Sequence, residues 1–333
     1  MKCFLTGITG FIGMNLARKL AMDGHQVNAI IRGQVPAGLE EMTEIRCFRG
    51  DLHDTRILEK AMEGCELAYH LAAYAKPWAK DPSTYNKINV EGARNVFEAA
   101  LKTGVKKVVF TSSAATMSPS DDERPVDESV FRTVPYFNAY EITKAEAEQQ
   151  AREYCRKGLY VVMVNPSRVY GPGPINPSNS VTKMIAAYQK GNWYIIPGDG
   201  KKIGNYVFID DVVNGHVLAG QKGRAGERYI LGGDNITFDE FFQILAKITG
   251  NHRHLYHLPV KMMVLGARLM EIQNPVTGIP PAITVDFVRK YMNHWCLSSE
   301  KAIMELGYKI TSFEEGVEKT LEWLNTSNDI KNK

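Results

Sequence analysis

The sequence predicts an α/β protein: a doubly wound parallel sheet carrying a smaller C-terminal substrate lobe. Three observations point there. An apolar run at residues 3–5 feeds directly into glycines at positions 7, 10 and 13, and a helical pattern follows at once. Strand-like and helix-like patterns then alternate up to residue 165, the signature of βαβ units. Beyond that point the texture changes, with Pro166, Pro172, Pro174 and Pro177 and glycines 171 and 173 breaking a long irregular stretch. Residues 1–165 are therefore read as a dinucleotide-binding domain of Rossmann type. Residues 166–333 are read as mainly a substrate-binding lobe, with segments that return to the sheet.

Each element has a local reason. Met14, Leu16, Ala17 and Leu20 recur on one helical face after the glycines, and Asp23-Gly24 ends the pattern. A second strand is expected at 26–31, a third at 45–48, a fourth at 67–71, a fifth at 107–110 and a sixth at 161–164. Between them, residues 84–101 repeat Val90, Ala93, Val96, Phe97 and Ala100 at helical spacing. Residues 140–154 form a further strong helix. In the second half, helices are expected at 181–189, 238–248 and 317–324. Strands are expected at 206–209 and 228–231, the former running into a helix that starts at Asp210-Asp211 and reaches Ala219. The apolar, methionine-rich stretch 258–270 reads as a helix packed under the pocket, with membrane contact as the competing reading.

Composition narrows the classes. A chain of 333 residues is long for a single core, and 44% hydrophobic with 23% charged residues is ordinary for a globular protein. A net charge of +3 is too small to argue for a nucleic-acid partner. No apolar run approaches the ~20 residues that cross a bilayer, so stable membrane insertion is not expected. Five scattered cysteines without a C-x-x-C pair, and no visible leader, suggest reduced thiols in a cytoplasmic protein. His252, His254 and His257 lack metal-ligand spacing and are read as surface residues with no acidic neighbour; no metal is expected.

The chemistry is carried by two groups of residues. Gly7, Gly10 and Gly13 lie between a strand and a helix, where backbone can approach a pyrophosphate and free N–H groups can meet its charge. At the end of the second strand, where a carboxylate would grip a ribose 2′-hydroxyl, the chain has Ile31 and then Arg32, which suits a 2′-phosphate. Asp51 is placed either to touch adenine or to cap the helix starting near Thr55. Ala72 and Ala73 are small enough to let a dinucleotide pass. The second group is Tyr140 and Lys144, four apart on one helix face, with Thr111-Ser112-Ser113 at the end of the fifth strand. An ammonium near a phenol is expected to lower its pKa from ~10, giving an acid/base usable near neutrality. A serine hydroxyl at that rim stabilises charge developing on a substrate oxygen.

Taken together, Thr6-Gly-Ile-Thr-Gly-Phe-Ile-Gly13, Gly50-Asp51-Leu52, His70-Leu-Ala-Ala73, Asn89-Val90-Glu91-Gly92, Thr111-Ser-Ser113, Tyr140-x-x-x-Lys144, Pro166-Ser-Arg-Val-Tyr-Gly-Pro172, Tyr206-Val-Phe-Ile-Asp-Asp211 and Ser299-Glu-Lys-Ala-x-x-x-Leu-Gly-Tyr308 resemble an extended short-chain dehydrogenase/reductase. The resemblance spans nearly the whole chain. It implies that Ser113, Tyr140 and Lys144 are catalytic. It implies that Gly7, Gly10, Phe11, Ile12 and Gly13 form the pyrophosphate loop, that Asp51 and Leu52 contact adenine, and that Ala72 and Ala73 meet the middle of the cofactor. Ser112, Pro166 and Ser167 match positions beside the nicotinamide. A homodimer, paired through helices 84–101 and 140–154, is also implied.

Departures from the pattern choose a branch. Ser112-Ser113 stands where sugar dehydratases carry Asp-Glu. The arginine that nucleotide-sugar epimerases place two residues before Tyr206 is Gly204, and a second such arginine is replaced by Asn165. A UDP-type diphosphate thus loses charge-assisted anchors worth roughly 1.5–3 kcal/mol each, although Lys201, Lys202 or Arg168 remain as substitutes. The pattern is more similar to the dihydroflavonol reductase and 3β-hydroxysteroid dehydrogenase branch. The expected function is hydride transfer between NADP(H), with NAD as the alternative cofactor, and a small-molecule carbonyl or alcohol. A nucleotide-sugar epimerase with retained NAD⁺ is the competing reading. Tyr74, Trp78, Tyr170 and Trp193 are candidates for an apolar pocket or for core.

Overall fold

The computed structural model describes residues 1–121, 124–174 and 179–331. Pro177 lies outside the described residues. The main sheet contains β1 (Lys2–Thr6), β2 (Gln26–Ile31), β3 (Ile45–Arg49), β4 (Leu67–His70), β5 (Lys107–Thr111), β6 (Val161–Pro166) and β10 (Arg228–Leu231), in the order β10-β6-β5-β4-β1-β2-β3. Every neighbouring pair in it is parallel.

Period-two alternation divides the core into two layers. Phe4, Ala68, Val108, Phe110, Val161 and Met163 face one side. There they meet α2 (Thr55–Met62), α4 (Gly92–Thr103) and α5 (Ala139–Arg156). Cys3, Leu5, Tyr69, Val109, Val162 and Val164 face the other, under α1 (Phe11–Met22) and α7 (Ile209–Lys222). Burial on both faces explains why β1 and β6 read as unbroken apolar runs. The edge strand β3 is only partly buried and carries Arg46 and Arg49, as exposed edges often do.

The helix expected at 84–101 is more complex. It begins as α3 (Ser83–Asn86), passes through one π-helical turn at Lys87–Glu91, and continues as α4. The expected cap of the helix at Thr55 is corrected. Asp54, not Asp51, accepts from Ile57 N, because a cap must sit immediately before the first turn.

Beyond residue 166, β7 (Arg168–Tyr170), β9 (Ile203–Phe208) and β11 (Asp234–Thr237) form a small sheet in the order β11-β9-β7. Between them lie α6 (Ser180–Gln189) and β8 (Ile195–Pro197), and the latter pairs with β12 (Tyr256–Leu258). Ile209, expected to close a strand, begins α7 instead. Helices α8 (Phe238–Thr249), α9 (Val260–Thr277), α10 (Val285–Tyr291), α11 (Glu300–Leu306) and α12 (Phe313–Lys331) complete the C-terminal half. The Asp211 carboxylate, at the start of α7, accepts from Thr311 N and Oγ1 at 2.7 and 2.8 Å, which ties the C-terminal segment to the main body.

The expectation that residues 258–270 lie under the pocket is overturned. Met263, Val264 and Ala267 of α9 pack on Val285 and Val288, but Met262, Leu265, Leu269 and Ile272 are exposed, and among the described residues none of α9 lines the cleft described below. Among the described residues no helix is long and apolar enough to cross a membrane. None of the five cysteines is in a disulfide among the described residues.

Candidate active site

The carboxyl ends of the parallel strands open into a cleft of about 430 Å³. It lies at the topological switch, where the chain has built β1-β2-β3 in one direction and then places β4 on the other side of β1. Gly7, which follows β1, is held against the end of β4. Its φ is +79°, and a Cβ there would come within 2.7 Å of Ala72 N. Thr6 Oγ1 strengthens that junction by accepting from Leu71 N at 3.1 Å and Ala72 N at 3.0 Å. At Gly13 a Cβ would lie 2.1 Å from Gly7 O, so the third glycine is required by loop-on-helix packing.

The start of α1 is prepared for an anion. Its N-cap is Gly10, no side chain caps it, and its first turn holds no acidic residue. Side chains cap α2, α5 and α8 through Asp54, Asn138 and Thr237, whereas α6, α7, α9 and α11, like α1, have no side-chain cap. Uncapped N–H groups at a helix start that lines a cleft suit a pyrophosphate. Ser167 Oγ, also in the lining, is buried and has no hydrogen-bond partner among the described residues. The glycine cradle and this orphaned hydroxyl fit a dinucleotide.

All the residues expected at the site line this cleft: Gly7, Gly10, Phe11, Ile12, Gly13, Arg32, Asp51, Leu52, Ala72, Ala73, Ser112, Ser113, Tyr140, Lys144, Pro166 and Ser167. Arg32 and Asp51 are exposed at one end. Asp51 Oδ1 accepts from His53 N at 2.7 Å. Of the aromatic candidates only Tyr74 is in the lining. Tyr170 is fully buried among Phe208 and Phe313, Trp193 stacks on Phe242, and Trp78 O accepts a hydrogen bond from Tyr74 Oη.

At the other end, Ser113, Tyr140 and Lys144 meet. Asn138 accepts from Glu141 N and so fixes where α5 begins, presenting Tyr140 and Lys144 one turn apart. Lys144 Nζ donates to Thr111 O at 2.6 Å and sits 4.4 Å from the centre of the Phe110 ring. Burial pulls Lys144 down to about 7, opposed by the nearby Glu148 carboxylate. The phenol departs from expectation. Burial raises Tyr140 above its ordinary value, Glu141 adds to that, and the hydrogen-bonded Ser113 hydroxyl opposes it. Lys144 is not among the groups that shift Tyr140; its ammonium is committed to the Thr111 carbonyl.

Beneath the trio is a polar network that sequence reasoning missed. Glu148 Oε1 accepts from Ser112 Oγ at 2.5 Å, Thr116 Oγ1 at 2.9 Å and Asn165 Nδ2 at 2.7 Å. Asn165 Nδ2 also donates to Ser113 O at 3.0 Å. The Ser112 hydroxyl is therefore turned to Glu148. One signal was available: Glu148 follows Lys144 by one helical turn, on the buried face of α5. His70 and His216, below the cleft floor, are kept neutral by burial, at about 3 and about 4. The exposed histidines also need one correction. His257 Nε2 lies 2.9 Å from Asp239 Oδ1, a partner supplied by the start of α8. No group of residues among those described could hold a metal ion.

Residues 3–232 match the model of the NAD dependent epimerase/dehydratase family. The chain belongs to that family. Over 98% of its length it is 32% identical to a Synechocystis sp. protein named after dihydroflavonol 4-reductase, of which it covers 96%. Over 96% of its length it is 26% identical to the mouse sterol-4-alpha-carboxylate 3-dehydrogenase, decarboxylating, covering 90% of that protein. The crystal structure of gox2253 is 32% identical, with 98% of each chain covered and a TM-score of 0.82. This family member is an NAD(P)-dependent oxidoreductase of the extended short-chain dehydrogenase/reductase type, acting on hydroxyl and carbonyl groups.

Proposed function

We propose that the protein is an NADP(H)-dependent carbonyl reductase/alcohol dehydrogenase whose catalytic residues are Ser113, Tyr140 and Lys144. The observation that carries this reading is their meeting in one cleft with an uncapped glycine-lined helix start and Arg32. Gly7, Gly10 and Gly13, with Phe11 and Ile12, hold the pyrophosphate by backbone N–H groups. Arg32 takes the 2′-phosphate with charge-assisted bonds, and Asp51 and Leu52 lie against the adenine. Ala72 and Ala73 flank the middle of the cofactor, while Ser112, Pro166 and Ser167 border the nicotinamide. When bound, that ring supplies or accepts the hydride. In the reducing direction Tyr140 Oη gives its proton to the substrate oxygen. Ser113 Oγ donates a hydrogen bond to the same oxygen as charge builds there. Lys144 holds the nicotinamide ribose and, once turned to it, the tyrosine.

A neutral Tyr140 suits this direction. Burial keeps the proton on the phenol, and a raised phenol pKa is compatible with proton donation rather than with a standing phenolate. Residues 166–333 build most of the substrate side of the cleft, and we place the boundary between the two lobes at residue 165. A homodimer through helices α4 and α5, whose outer faces expose Leu101 and Ile142, and a cytoplasmic location complete the reading.

The test is oxidation of NADPH and of NADH over aldehydes, ketones, flavonoid-like and steroid-like carbonyls. NADPH is expected to be preferred, and Tyr140→Phe to reduce kcat by at least 100-fold. No oxidation with any carbonyl, together with tight UDP-sugar binding, would instead favour the epimerase reading.

A further inference from the structure

Among the described residues three cations line the cleft: Arg32, Lys144 and Arg168. The first two have tasks in the cofactor reading; Arg168 has none. It opens β7 and stands opposite Tyr206 of β9. Its guanidinium carbon lies 4.5 Å from the ring centre of Tyr291, 5.3 Å from that of Tyr206 and 5.7 Å from that of Phe238. Its one hydrogen bond among the described residues runs from Nη1 to Tyr206 Oη, at 3.1 Å. The rest of its N–H fork has no protein partner among the described residues.

The aromatic walls make this cation expensive to leave alone. Rings attract the guanidinium but replace water that would solvate it. Arg168 forms no ion pair among the described residues. Glu141 already serves Arg132 at 3.0 Å and Lys290 at 3.1 Å, and the charge of Arg168 reaches Lys290 as a like charge. The neighbourhood therefore holds a surplus of positive charge that an outside anion would balance. Space for the fork is provided at Gly204, where a Cβ would come 2.3 Å from Arg168 Nη1. The glycine that removes an epimerase-type anchor is the one that admits this arginine.

The geometry also limits the anion. A guanidinium held between rings offers its edge, and two parallel N–H groups match the two oxygens of a carboxylate. A diphosphate carries more charge than one fork balances, and neither Lys201 nor Lys202 lines the cleft.

We propose that Arg168 is a substrate-specificity residue that binds a carboxylate on the substrate, remote from the reacting carbon. That the reacting carbon is a carbonyl rests on the function proposed above; the carboxylate site itself does not.

The probes are phenyl oxo acids with two to six carbons between ketone and carboxylate, each paired with its methyl ester. Two readouts are taken. One is kcat/KM with NADPH. The other is binding of each acid and ester to the NADP⁺-loaded protein by calorimetry. At one or more chain lengths the acid should exceed its ester by roughly 10- to 100-fold, the range expected for charge-assisted hydrogen bonds. Arg168→Gln should bring the acid/ester ratio close to one, mainly through KM. Arg168→Lys should restore it only in part, and Gly204→Ala should lower it by displacing Nη1. Acids that bind through Arg168 without any turnover would overturn the redox reading and leave this site standing. Turnover with equal preference for acids and esters at every length would overturn the site and leave the redox reading intact. A rise in the NADPH dissociation constant of Arg168→Gln, with the acid/ester ratio unchanged, would assign Arg168 to the cofactor and also overturn it. Wild-type ratios and Gly204→Ala keep the test decisive even where Arg168→Gln does not fold.

Discussion

Glu148 shows how a residue outside the proposed catalytic trio can bear on a member of it. Its carboxylate fixes Ser112, Thr116 and Asn165 and is the group that opposes the fall of Lys144. With Lys144 at about 7, the ammonium is present below that pH and is lost as pH rises through it. Activity that needs the ammonium should therefore decline above about pH 7. Glu148→Gln removes the opposing charge, so the decline should move to lower pH in a kcat profile; an unmoved limb would deny Glu148 this role. At the far end of the cleft, Arg32→Ala should raise KM for NADPH roughly 10- to 100-fold and leave KM for NADH nearly unchanged. The glycines, the serine strand and the Tyr140–Lys144 pair were legible because their spacing is local. Glu148 and Asn165 were not, because a glutamate inside a polar helix reads as solvated surface, and only the packing of α5 on β6 turns it inward. The direction of the Tyr140 shift was hidden for the same reason: burial outweighs a charge whose orientation the sequence does not reveal.

Elements were read well where one face or both faces of an element are apolar. The strands of the main sheet and helices α1, α5 and α8 all lie close to their expected bounds. At α9 hydrophobicity does not translate into burial. Apolar composition says that a segment can be covered, not that a neighbour covers it; only the Met263, Val264 and Ala267 face finds α10. Two expectations belong at this scale. Gly13→Ala should abolish dinucleotide binding in a fluorescence titration, because the new Cβ would collide with backbone at 2.1 Å and nothing flexible can yield. Asn138→Ala removes the α5 cap and should cost about 1 kcal/mol in urea denaturation, with a loss in kcat from a misplaced Tyr140. Retained stability with retained kcat would show that α5 starts correctly without its cap.

Over the whole molecule, the parallel order of the main sheet gathers glycine loop, serine strand and the start of α5 at one edge although they are far apart in sequence. The C-terminal half contributes both a strand of that sheet, β10, and the side of the cleft that holds Arg168. Its irregular stretch was recognisable by its prolines, but which of its side chains enter the cleft depends on β7–β9 pairing, a contact made across a long sequence separation. Light scattering should give twice the 37.3 kDa chain mass if the proposed α4/α5 pairing holds. Replacing Ile142 and Leu101 together by glutamate should then yield monomers; a mass of 37.3 kDa for the wild type would remove the dimer from the reading.

The π-helical turn at Lys87–Glu91 amounts to one surplus residue wound into an otherwise continuous rod from 83 to 103. Within it, Ile88 reaches the cleft, and Asn89 clasps Tyr74 through both its backbone N–H and its carbonyl. Shortening the rod by a single residue there would make its winding regular and leave the flanking turns in phase, so that the change falls on the residues of the wide turn itself. Asn89 would swing off Tyr74, and the bend that carries Ala72 and Ala73 would lose its clasp. An irregularity that a helix could shed at the cost of one codon is thus what keeps the wall of the cleft in register.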